Sequence, residues 1–168
     1  MRLGKVGVFL EMIKFEHTVF ALPFAYIAAL LTERKMPGIH DLVWITLAMV
    51  GARTAAMALN RIIDRHIDAA NPRTSGRALP RGLISPAEAW LYTFLSLILL
   101  AVAAYNLSPL AFRLFPLSVA AVTFYSYTKR FTWLCHFFLG GTLALAPIGA
   151  WIGITNSLGM AAVVLGLG

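Results

Sequence analysis

The sequence is poor in acidic residues and contains one cysteine. Only 7 Asp and Glu accompany 14 Lys and Arg over 168 residues, and Cys135 is the sole cysteine. A single cysteine excludes an internal disulfide and a cysteine-based metal site built within one chain. The sequence also lacks a glycine-rich phosphate loop, the paired His spacing of a zinc site, and a nucleophile, base and orienting group in a supported arrangement. None of these enzyme classes is therefore predicted.

Charge is scarce altogether, whereas long apolar runs are plentiful. Charged residues make up 12% of the chain, hydrophobic residues make up 60%, and the mean hydropathy is +0.78, which lies outside the range of soluble globular domains. The apolar runs recur along the whole chain without a linker or repeat, so we predict one transmembrane domain over residues 1–168. Glu11 and Lys14 interrupt the first run, so we do not expect a cleavable signal peptide.

The runs and their breakers predict an all-α, polytopic membrane helix bundle. Each complete span needs about 20 residues to cross roughly 30 Å of hydrocarbon, and we predict about five such helices and a truncated sixth. The predicted ranges are 18–31, preceded by a lead-in over 6–15, then 41–63, 85–105, 110–127, 133–154 and 158–168. The last run would extend about 16 Å as a helix, roughly half of the hydrocarbon thickness. We therefore expect the domain to be truncated at its C-terminus.

Local sequence signals mark one helix start and one contact region. Ser85, Pro86 and Glu88 have the pattern of an N-cap, a proline in the first turn and an acid that completes the cap. Gly140, Gly141, Pro147 and Gly149 lie within the predicted fifth span. Small residues let helix backbones approach each other in membranes and proline bends a helix, so these residues are available for close helix contact or bending.

Basic residues outside the spans indicate the orientation of the bundle. If the spans alternate in direction, one side collects Arg2, Lys5, Lys14, Arg61, Arg65, Arg73, Arg77, Arg81, Lys129 and Arg130. Because positive charge concentrates in cytoplasmic loops, we predict a cytoplasmic N-terminus and a cytoplasmic connection over 60–82, in the bacterial inner (plasma) membrane. The same rule accounts for the net charge of +7, so we expect membrane lipid and not nucleic acid as the partner.

Asn60, Asp64 and Asp68 recur at every fourth position after the predicted second span. If the helix continues past the membrane surface, this spacing places one amide and two carboxylates on a single face. Such oxygen ligands suit Mg²⁺, which takes one or two protein carboxylates and completes its coordination with water and substrate phosphates. The set is too small to enclose a metal alone. The sequence therefore predicts a Mg²⁺ site that is shared with a phosphate-bearing ligand.

Basic residues near this face match such a ligand. Arg53 lies two helical turns before Asn60, at a depth where a guanidinium needs an anion inside the bundle. Guanidinium groups bind phosphate through paired donors, and lysine adds a point charge. The candidate phosphate-binding residues are Arg53, Arg73, Arg77, Arg81, Lys129 and Arg130.

Two plainer interpretations of these charges stay open. Juxtamembrane arginines often do no more than set topology and touch anionic lipid headgroups. Asp64 and Asp68 would also be satisfied by ion pairs with Arg61 and Arg65 at helical spacing. The corresponding functional alternative is a non-catalytic membrane protein with an anionic-lipid-binding loop.

Several stretches carry a family resemblance. Residues 60–68 fit the pattern NxxxDxxxD, RTSGRALPRGLIS follows them, and YSYTKRFTWLCHFFLG lies between the predicted fourth and fifth spans. They resemble the first aspartate-rich motif, its basic continuation and the corresponding connection of the intramembrane aromatic prenyltransferases typified by 4-hydroxybenzoate polyprenyltransferase. KFEHTVFALPFA and GARTAAMALNRIIDRHIDAANPRT are most similar to the menaquinone-pathway branch of that family.

The resemblance implies a bundle that normally has nine membrane helices around a cavity open to lipid. It implies Mg²⁺-dependent transfer of a polyprenyl group from a polyprenyl diphosphate to 4-hydroxybenzoate or dihydroxynaphthoate, in ubiquinone or menaquinone biosynthesis. Asn60, Asp64 and Asp68 would hold the metal, with Asp64 and Asp68 as the catalytic pair. The diphosphate would be bound by Asn60, Arg53, Arg77, Arg81, Lys129 and Arg130. Haem, chlorophyllide or a glycerophosphate lipid is the alternative acceptor within the family.

One feature of that family is missing from the sequence. The family carries a second acidic motif, DxxxD, between its sixth and seventh helices, whereas the last acidic residue of this sequence is Glu88. Together with the short last run, this indicates an N-terminal fragment. Such a fragment would hold about half of a catalytic site, and we expect it to be inactive alone.

Overall fold

The computed structural model describes residues 4–33, 37–128, 130–131 and 133–167. Within these ranges it consists of α-helices and short connections, without a strand. The helices are α1 Lys5–Met12, α2 Glu16–Glu33, α3 Ile39–Ala70, α4 Pro86–Leu107, α5 Pro109–Thr128, α6 Cys135–Thr155 and α7 Met160–Leu167. The predicted all-α class is confirmed, with α1 as the lead-in, α2 to α6 at the five predicted spans and α7 at the short sixth.

The composition and length of the helices identify an integral membrane protein. In the described ranges, α3, α4, α5 and α6 are long and apolar enough to cross a membrane, and the apolar part of α2 is the shorter segment Ala21–Thr32. Phe94, Tyr105 and Leu117 are among many large apolar side chains exposed on the outside of the bundle. A water-soluble surface rarely carries so much exposed apolar area, whereas a lipid-facing surface requires it.

Helix α3 is the longest element and carries the polar residues of interest. Its 32 residues extend about 48 Å, which exceeds the roughly 30 Å of hydrocarbon. The last turns of α3 therefore continue beyond the apolar layer, as the spacing of Asn60, Asp64 and Asp68 required. The helix stops at Asn71, whose backbone is extended because the following residue is Pro72 and a residue before proline disfavours the helical conformation.

The closest helix contact joins α3 to α4 at Gly51. A Cβ atom on Gly51 would lie 2.9 Å from both the Leu100 amide nitrogen and the Ser96 carbonyl oxygen, so only glycine permits this approach. Among the described residues, nothing lies within 4 Å of a Cβ built on Gly140, Gly141 or Gly149, so these glycines do not form the close contact, and bending there stays a prediction. A glycine permits two helices to approach closely, but the position of the neighbouring helix determines whether the contact forms.

The start of α4 is fixed by the predicted cap. The Glu88 amide donates to Ser85 Oγ at 3.2 Å, and the Ser85 amide donates to Glu88 Oε2 at 2.8 Å, which completes a capping box. Lys5 of α1 also bonds Glu88, at 3.2 Å. The same carboxylate thus caps α4 and anchors α1 to its end.

Helix α1 lies across the end of the bundle at which α3 ends and α4 begins. Phe9, Met12 and Ile13 are buried in one cluster with Ile62 of α3 and Ile84 of the α3–α4 connection. Burial of these side chains offsets the cost of ordering a short helix that would not form alone. The connection that follows α3 is therefore packed against α1 instead of extending freely from the membrane.

Candidate active site

The two aspartates on the last turns of α3 are buried. Asp64 is 5% exposed and Asp68 is 6% exposed, and they follow Asn60 by one and two turns on the same helix face. A buried carboxylate is costly unless a positive group or hydrogen-bond donors neutralise it. The partners of these two side chains therefore define the site.

Asp68 pairs with an arginine from the connection that follows α3. Arg77 Nη1 donates to Asp68 Oδ2 at 2.6 Å. The connection folds back onto the helix end because the Thr74 hydroxyl donates to the Asp68 carbonyl oxygen at 3.0 Å. Thr74 is buried, so it fixes the backbone of the connection independently of the ion pair.

Asp64 pairs with an arginine from the connection after α5. Arg130 Nη2 lies 3.3 Å from Asp64 Oδ1 and donates to the Ile63 carbonyl oxygen at 2.7 Å. The Arg130 guanidinium also stacks on Tyr127, with 5.2 Å between its central carbon and the ring centroid, a distance at which a cation and an aromatic face attract. Two connections far apart in sequence thus deliver one guanidinium to each aspartate.

Asn60 is oriented by a serine of α5. Its amide nitrogen donates to Ser126 Oγ at 3.5 Å, and Ser126 Oγ donates in turn to the Val122 carbonyl oxygen at 3.4 Å. Because the amide nitrogen is directed at α5, the amide oxygen is the atom that Asn60 can offer to a cation. The sequence analysis did not identify Ser126, since a lone serine in an apolar helix carries no distinguishing pattern.

Arg61 and Arg65 of α3 hydrogen-bond groups other than the two aspartates, although both carboxylates act electrostatically on Arg61. Arg61 Nε donates to the Met12 carbonyl oxygen of α1 at 3.4 Å, and Arg65 Nε donates to His66 Nε2 at 3.0 Å. The ion pairs described above instead join Asp64 and Asp68 to the connections outside α3. Arg61 thus links α1 to the site helix, which the sequence analysis also did not identify.

A cavity of about 740 Å³ is lined by Asn60 and by residues of the helices around it. Its walls are mostly apolar side chains of α2 to α6, for example Ile45, Leu100 and Leu139. The polar face of α3 meets this cavity at Asn60, while Asp64 follows one turn further toward the helix end. The cavity can therefore accommodate a molecule with an apolar body and a charged head.

Arg53 lies deeper in this cavity. It lines the wall about 10 Å from Asn60 along the helix axis, and its buried Nε atom has no hydrogen-bond partner among the described residues. A buried guanidinium nitrogen without an acceptor is costly, and charged side chains inside membrane bundles often mark functional sites. Arg53 is thus poised for an anionic group that enters the cavity.

The donor set fits one side of a hydrated Mg²⁺ ion. Across the described ranges, no three His, Cys, Asp or Glu side chains form a metal-binding group. Two carboxylates and one amide are hard oxygen ligands of the type that Mg²⁺ uses when phosphate and water fill its other positions. Asn60, Asp64 and Asp68 are the residues that would hold the ion.

The structure places three of the predicted basic residues at the aspartates or in the cavity. Arg77 and Arg130 contact the aspartates, and Arg53 lies in the cavity. Arg81 is exposed on the surface of the α3–α4 connection. Lys129 lies outside the described residues.

Comparisons with known proteins identify relatives of this chain. The sequence model of the UbiA prenyltransferase family matches residues 21–168. The chain is 32% identical over 129 residues to 4-hydroxybenzoate octaprenyltransferase of Vibrio atlanticus (strain LGP32), covering 77% of this chain and 45% of the relative. It is 32% identical over 138 residues to protoheme IX farnesyltransferase of Chloroflexus aurantiacus (strain ATCC 29366 / DSM 635 / J-10-fl), covering 80% of this chain and 24% of that protein. The chain spans about half the length of the first relative and less of the second.

Two solved structures share the fold. The apo structure of a UbiA homolog from Aeropyrum pernix K1 has a TM-score of 0.80 and 35% identity, covering 90% of this chain and 55% of that chain. A UbiA homolog from Archaeoglobus fulgidus bound to GPP and Mg²⁺ has a TM-score of 0.74 and 19% identity, covering 95% of this chain and 58% of that chain. The helix arrangement described above therefore recurs in both.

Proposed function

Because this chain belongs to the UbiA prenyltransferase family, we propose that the protein transfers a polyprenyl group from a polyprenyl diphosphate to an aromatic acceptor. The acceptor is of the 4-hydroxybenzoate or dihydroxynaphthoate type, and the product serves ubiquinone or menaquinone biosynthesis. We further propose a location in the bacterial inner membrane, with the N-terminus and the connection over 60–82 on the cytoplasmic side.

One observation carries this proposal: a charged site lies at the polar end of an apolar cavity. Asp64 and Asp68 pair with two guanidinium groups there, and Asn60, on the same helix face, lines the cavity. A polyprenyl diphosphate has the matching shape, with an anionic head and an apolar chain. The head would lie among the charges of α3 and its connections, and the first prenyl units would lie in the cavity.

The residues of the site have separable roles in this reaction. Asn60, Asp64 and Asp68 would hold the metal-bound diphosphate, and Arg77, Arg81, Lys129 and Arg130 would supply donors to its oxygens. Mg²⁺, when bound, would neutralise the charge that develops on the departing diphosphate. The Archaeoglobus fulgidus UbiA homolog, whose solved structure contains GPP and Mg²⁺, supports the choice of ligand and ion.

The apolar cavity protects the reacting carbon. The bond between the allylic carbon and the diphosphate oxygen breaks, an electron-rich ring carbon of the acceptor forms the new bond, and the ring then loses a proton. Water would capture an allylic cation, so a cavity lined by side chains such as Leu100 and Leu139 favours transfer to the ring.

Arg53 provides a place for the acid group of the acceptor. The sequence analysis assigned Arg53 to the diphosphate, but its distance of about 10 Å from Asn60 along α3 separates it from the two aspartates. A benzoate-type acceptor carries a carboxylate that would pair with the buried guanidinium while its ring faces the prenyl carbon. We therefore propose acceptor binding for Arg53 and keep diphosphate binding as the alternative to be tested.

Other acceptors define the competing proposals. The similarity to protoheme IX farnesyltransferase makes haem one alternative, and chlorophyllide and glycerophosphate lipids are others. Competition between unlabelled acceptors in one assay distinguishes them, because the true acceptor suppresses incorporation into the rest. A non-catalytic lipid-binding protein instead predicts no incorporation into any acceptor.

The decisive experiment is a prenyl-transfer assay on membranes that contain the full-length protein. Radiolabelled polyprenyl diphosphate is supplied with 4-hydroxybenzoate or dihydroxynaphthoate and Mg²⁺. Asp64→Asn should lower incorporation by at least about 100-fold, since it removes a charged ligand. The matched control is Asp41→Asn, which removes a carboxylate at the opposite end of α3 and should retain activity. Wild-type activity in Asp64→Asn would refute the proposal.

A further inference from the structure

Both aspartates of the site are already paired with cations of the protein itself. Arg77 lies 2.6 Å from Asp68, and Arg130 lies 3.3 Å from Asp64. One oxygen of each carboxylate that would bind a metal therefore already accepts from a guanidinium group, Oδ2 of Asp68 and Oδ1 of Asp64. A divalent ion at about 2.1 Å from the same oxygens would repel both arginines, so the two arrangements compete.

The same two arginines are candidate donors for a diphosphate. Each reaches the site from a connection and not from a membrane helix, and their side chains retain 33% and 29% exposure. Both guanidinium groups therefore have room to turn toward a ligand that arrives from outside the bundle. The guanidinium charge neutralises the aspartates before the ligand binds and the phosphate oxygens after it binds.

The backbone of each connection has an anchor that does not depend on the ion pair. Thr74 bonds the Asp68 carbonyl oxygen, and it is three residues before Arg77. Arg130 follows the end of α5 directly, where its backbone amide donates to the Tyr127 carbonyl oxygen at 2.9 Å. A change of partner therefore requires the two side chains to turn but does not require either connection to unfold.

Resting on the function proposed above, we propose that Arg77 and Arg130 exchange partners during substrate binding. They neutralise Asp68 and Asp64 while the site is without ligand, and they move to the diphosphate when it arrives together with a divalent ion. The exchange makes the two ligands cooperative: the metal alone binds weakly because it must displace the arginines without compensation. The diphosphate accepts the displaced guanidinium groups and so strengthens metal binding, and the metal strengthens diphosphate binding by the same factor.

The exchange predicts effects of opposite sign for one substitution. Arg77→Gln or Arg130→Gln removes a cation that competes with the metal, so the affinity for metal alone rises. The same substitution removes a donor to the diphosphate, so the affinity for diphosphate falls. A purely structural ion pair would lower both affinities when it is broken, and a simple diphosphate ligand would leave the affinity for metal alone unchanged.

The test measures Mn²⁺ binding by electron paramagnetic resonance, with the protein in lipid nanodiscs and no diphosphate present. Removal of one unit charge about 4 Å from the ion should raise the Mn²⁺ affinity about fivefold or more for each variant. Arg113→Gln, at the exposed start of α5, is the matched control and should leave the affinity unchanged. Arg77→Lys keeps the charge and should remain near wild type even if Arg77→Gln folds poorly.

A second titration adds geranyl diphosphate. In the wild type it should raise the Mn²⁺ affinity about fivefold or more, and this gain should shrink in both glutamine variants. Equal Mn²⁺ affinity with and without geranyl diphosphate, while that diphosphate binds, would overturn the exchange and leave the proposed function intact. Absence of geranyl diphosphate binding would instead count against the proposed function. An unchanged or lowered Mn²⁺ affinity in both glutamine variants would also overturn the exchange.

Discussion

Replacing Arg53 with leucine tests the proposed acceptor subsite. Arg53 lines the cavity, and its Nε atom is buried without a hydrogen-bond partner among the described residues. Insertion scales assign about 2.5–3.5 kcal/mol to an arginine at the centre of a membrane helix. The cavity lets the rest of the guanidinium reach polar surroundings, so we expect removal of the side chain to recover only about 1 kcal/mol of this cost. Arg53→Leu should therefore stabilise the ligand-free protein by about 1 kcal/mol.

The same substitution should weaken acceptor binding. A hydrogen bond to a charged partner contributes about 1.5–3 kcal/mol, which corresponds to a rise of roughly 10-fold to 150-fold in KM for 4-hydroxybenzoate. The KM for the polyprenyl diphosphate should change less than about twofold. Arg113→Leu, exposed at the start of α5, is the control for loss of one positive charge.

The assays are thermal unfolding in detergent and initial rates of prenyl transfer with one substrate varied at a time. The KM for an acceptor that lacks the carboxylate should change little when Arg53 is replaced, because this acceptor has no group for the guanidinium to bind. An unchanged KM for 4-hydroxybenzoate with a raised KM for the diphosphate would refute the acceptor assignment and restore the diphosphate assignment. Loss of stability in Arg53→Leu would refute the reasoning that the guanidinium is unsatisfied without ligand.

Two further substitutions test how the bundle supports the site. Ser126→Ala should lower the rate of prenyl transfer about tenfold, because it frees the amide of Asn60 to turn. Thr123→Ala on the same helix is the control and should not lower the rate. Equal rates in both variants would contradict the role of Ser126. Gly51→Ala should reduce the free energy of unfolding by about 1–3 kcal/mol, since its methyl group would meet the α4 backbone. Gly140→Ala should cause no such loss in the same detergent unfolding measurement, and equal destabilisation by both would contradict the packing.

Regular spacing made the central element predictable. Asn60, Asp64 and Asp68 recur at the helical period, so their shared face follows once α3 continues beyond the apolar layer, and the structure shows that it continues to Ala70. The start of α4 was predictable for a similar reason, since Ser85 and Glu88 form a cap from atoms only a few residues apart. Both features depend on local geometry alone.

The partners of these residues were not predictable in the same way. Several arginines lie near the acids in sequence. Arg77 is the one that pairs with Asp68 because Thr74 folds the connection back onto α3. The choice of Arg130 depends on where α5 ends relative to α3. Side-chain type and spacing do not predict these ion pairs, because each pair depends on the paths of two separate segments of the chain.

The packing of α1 shows the same limit. Its sequence predicted a slanted or interfacial lead-in, but its contacts with Ile62 and Ile84 depend on the path of the α3–α4 connection. The bond from Arg61 to the Met12 carbonyl oxygen also joins residues that are remote in sequence. Sequence reasoning thus identified the charged groups of the site, and the tertiary structure determined which of them meet.

The most direct test of the account asks whether a metal-bound diphosphate occupies the acid face of α3. Electron–nuclear double resonance on Mn²⁺, with the protein in nanodiscs and geranyl diphosphate present, detects phosphorus nuclei that are bound to the ion. We predict a ³¹P coupling in the wild type and in Asp41→Asn, and its loss when Asp64 and Asp68 are both replaced by asparagine. A protein-dependent ³¹P coupling that persists after both replacements would contradict the central claim.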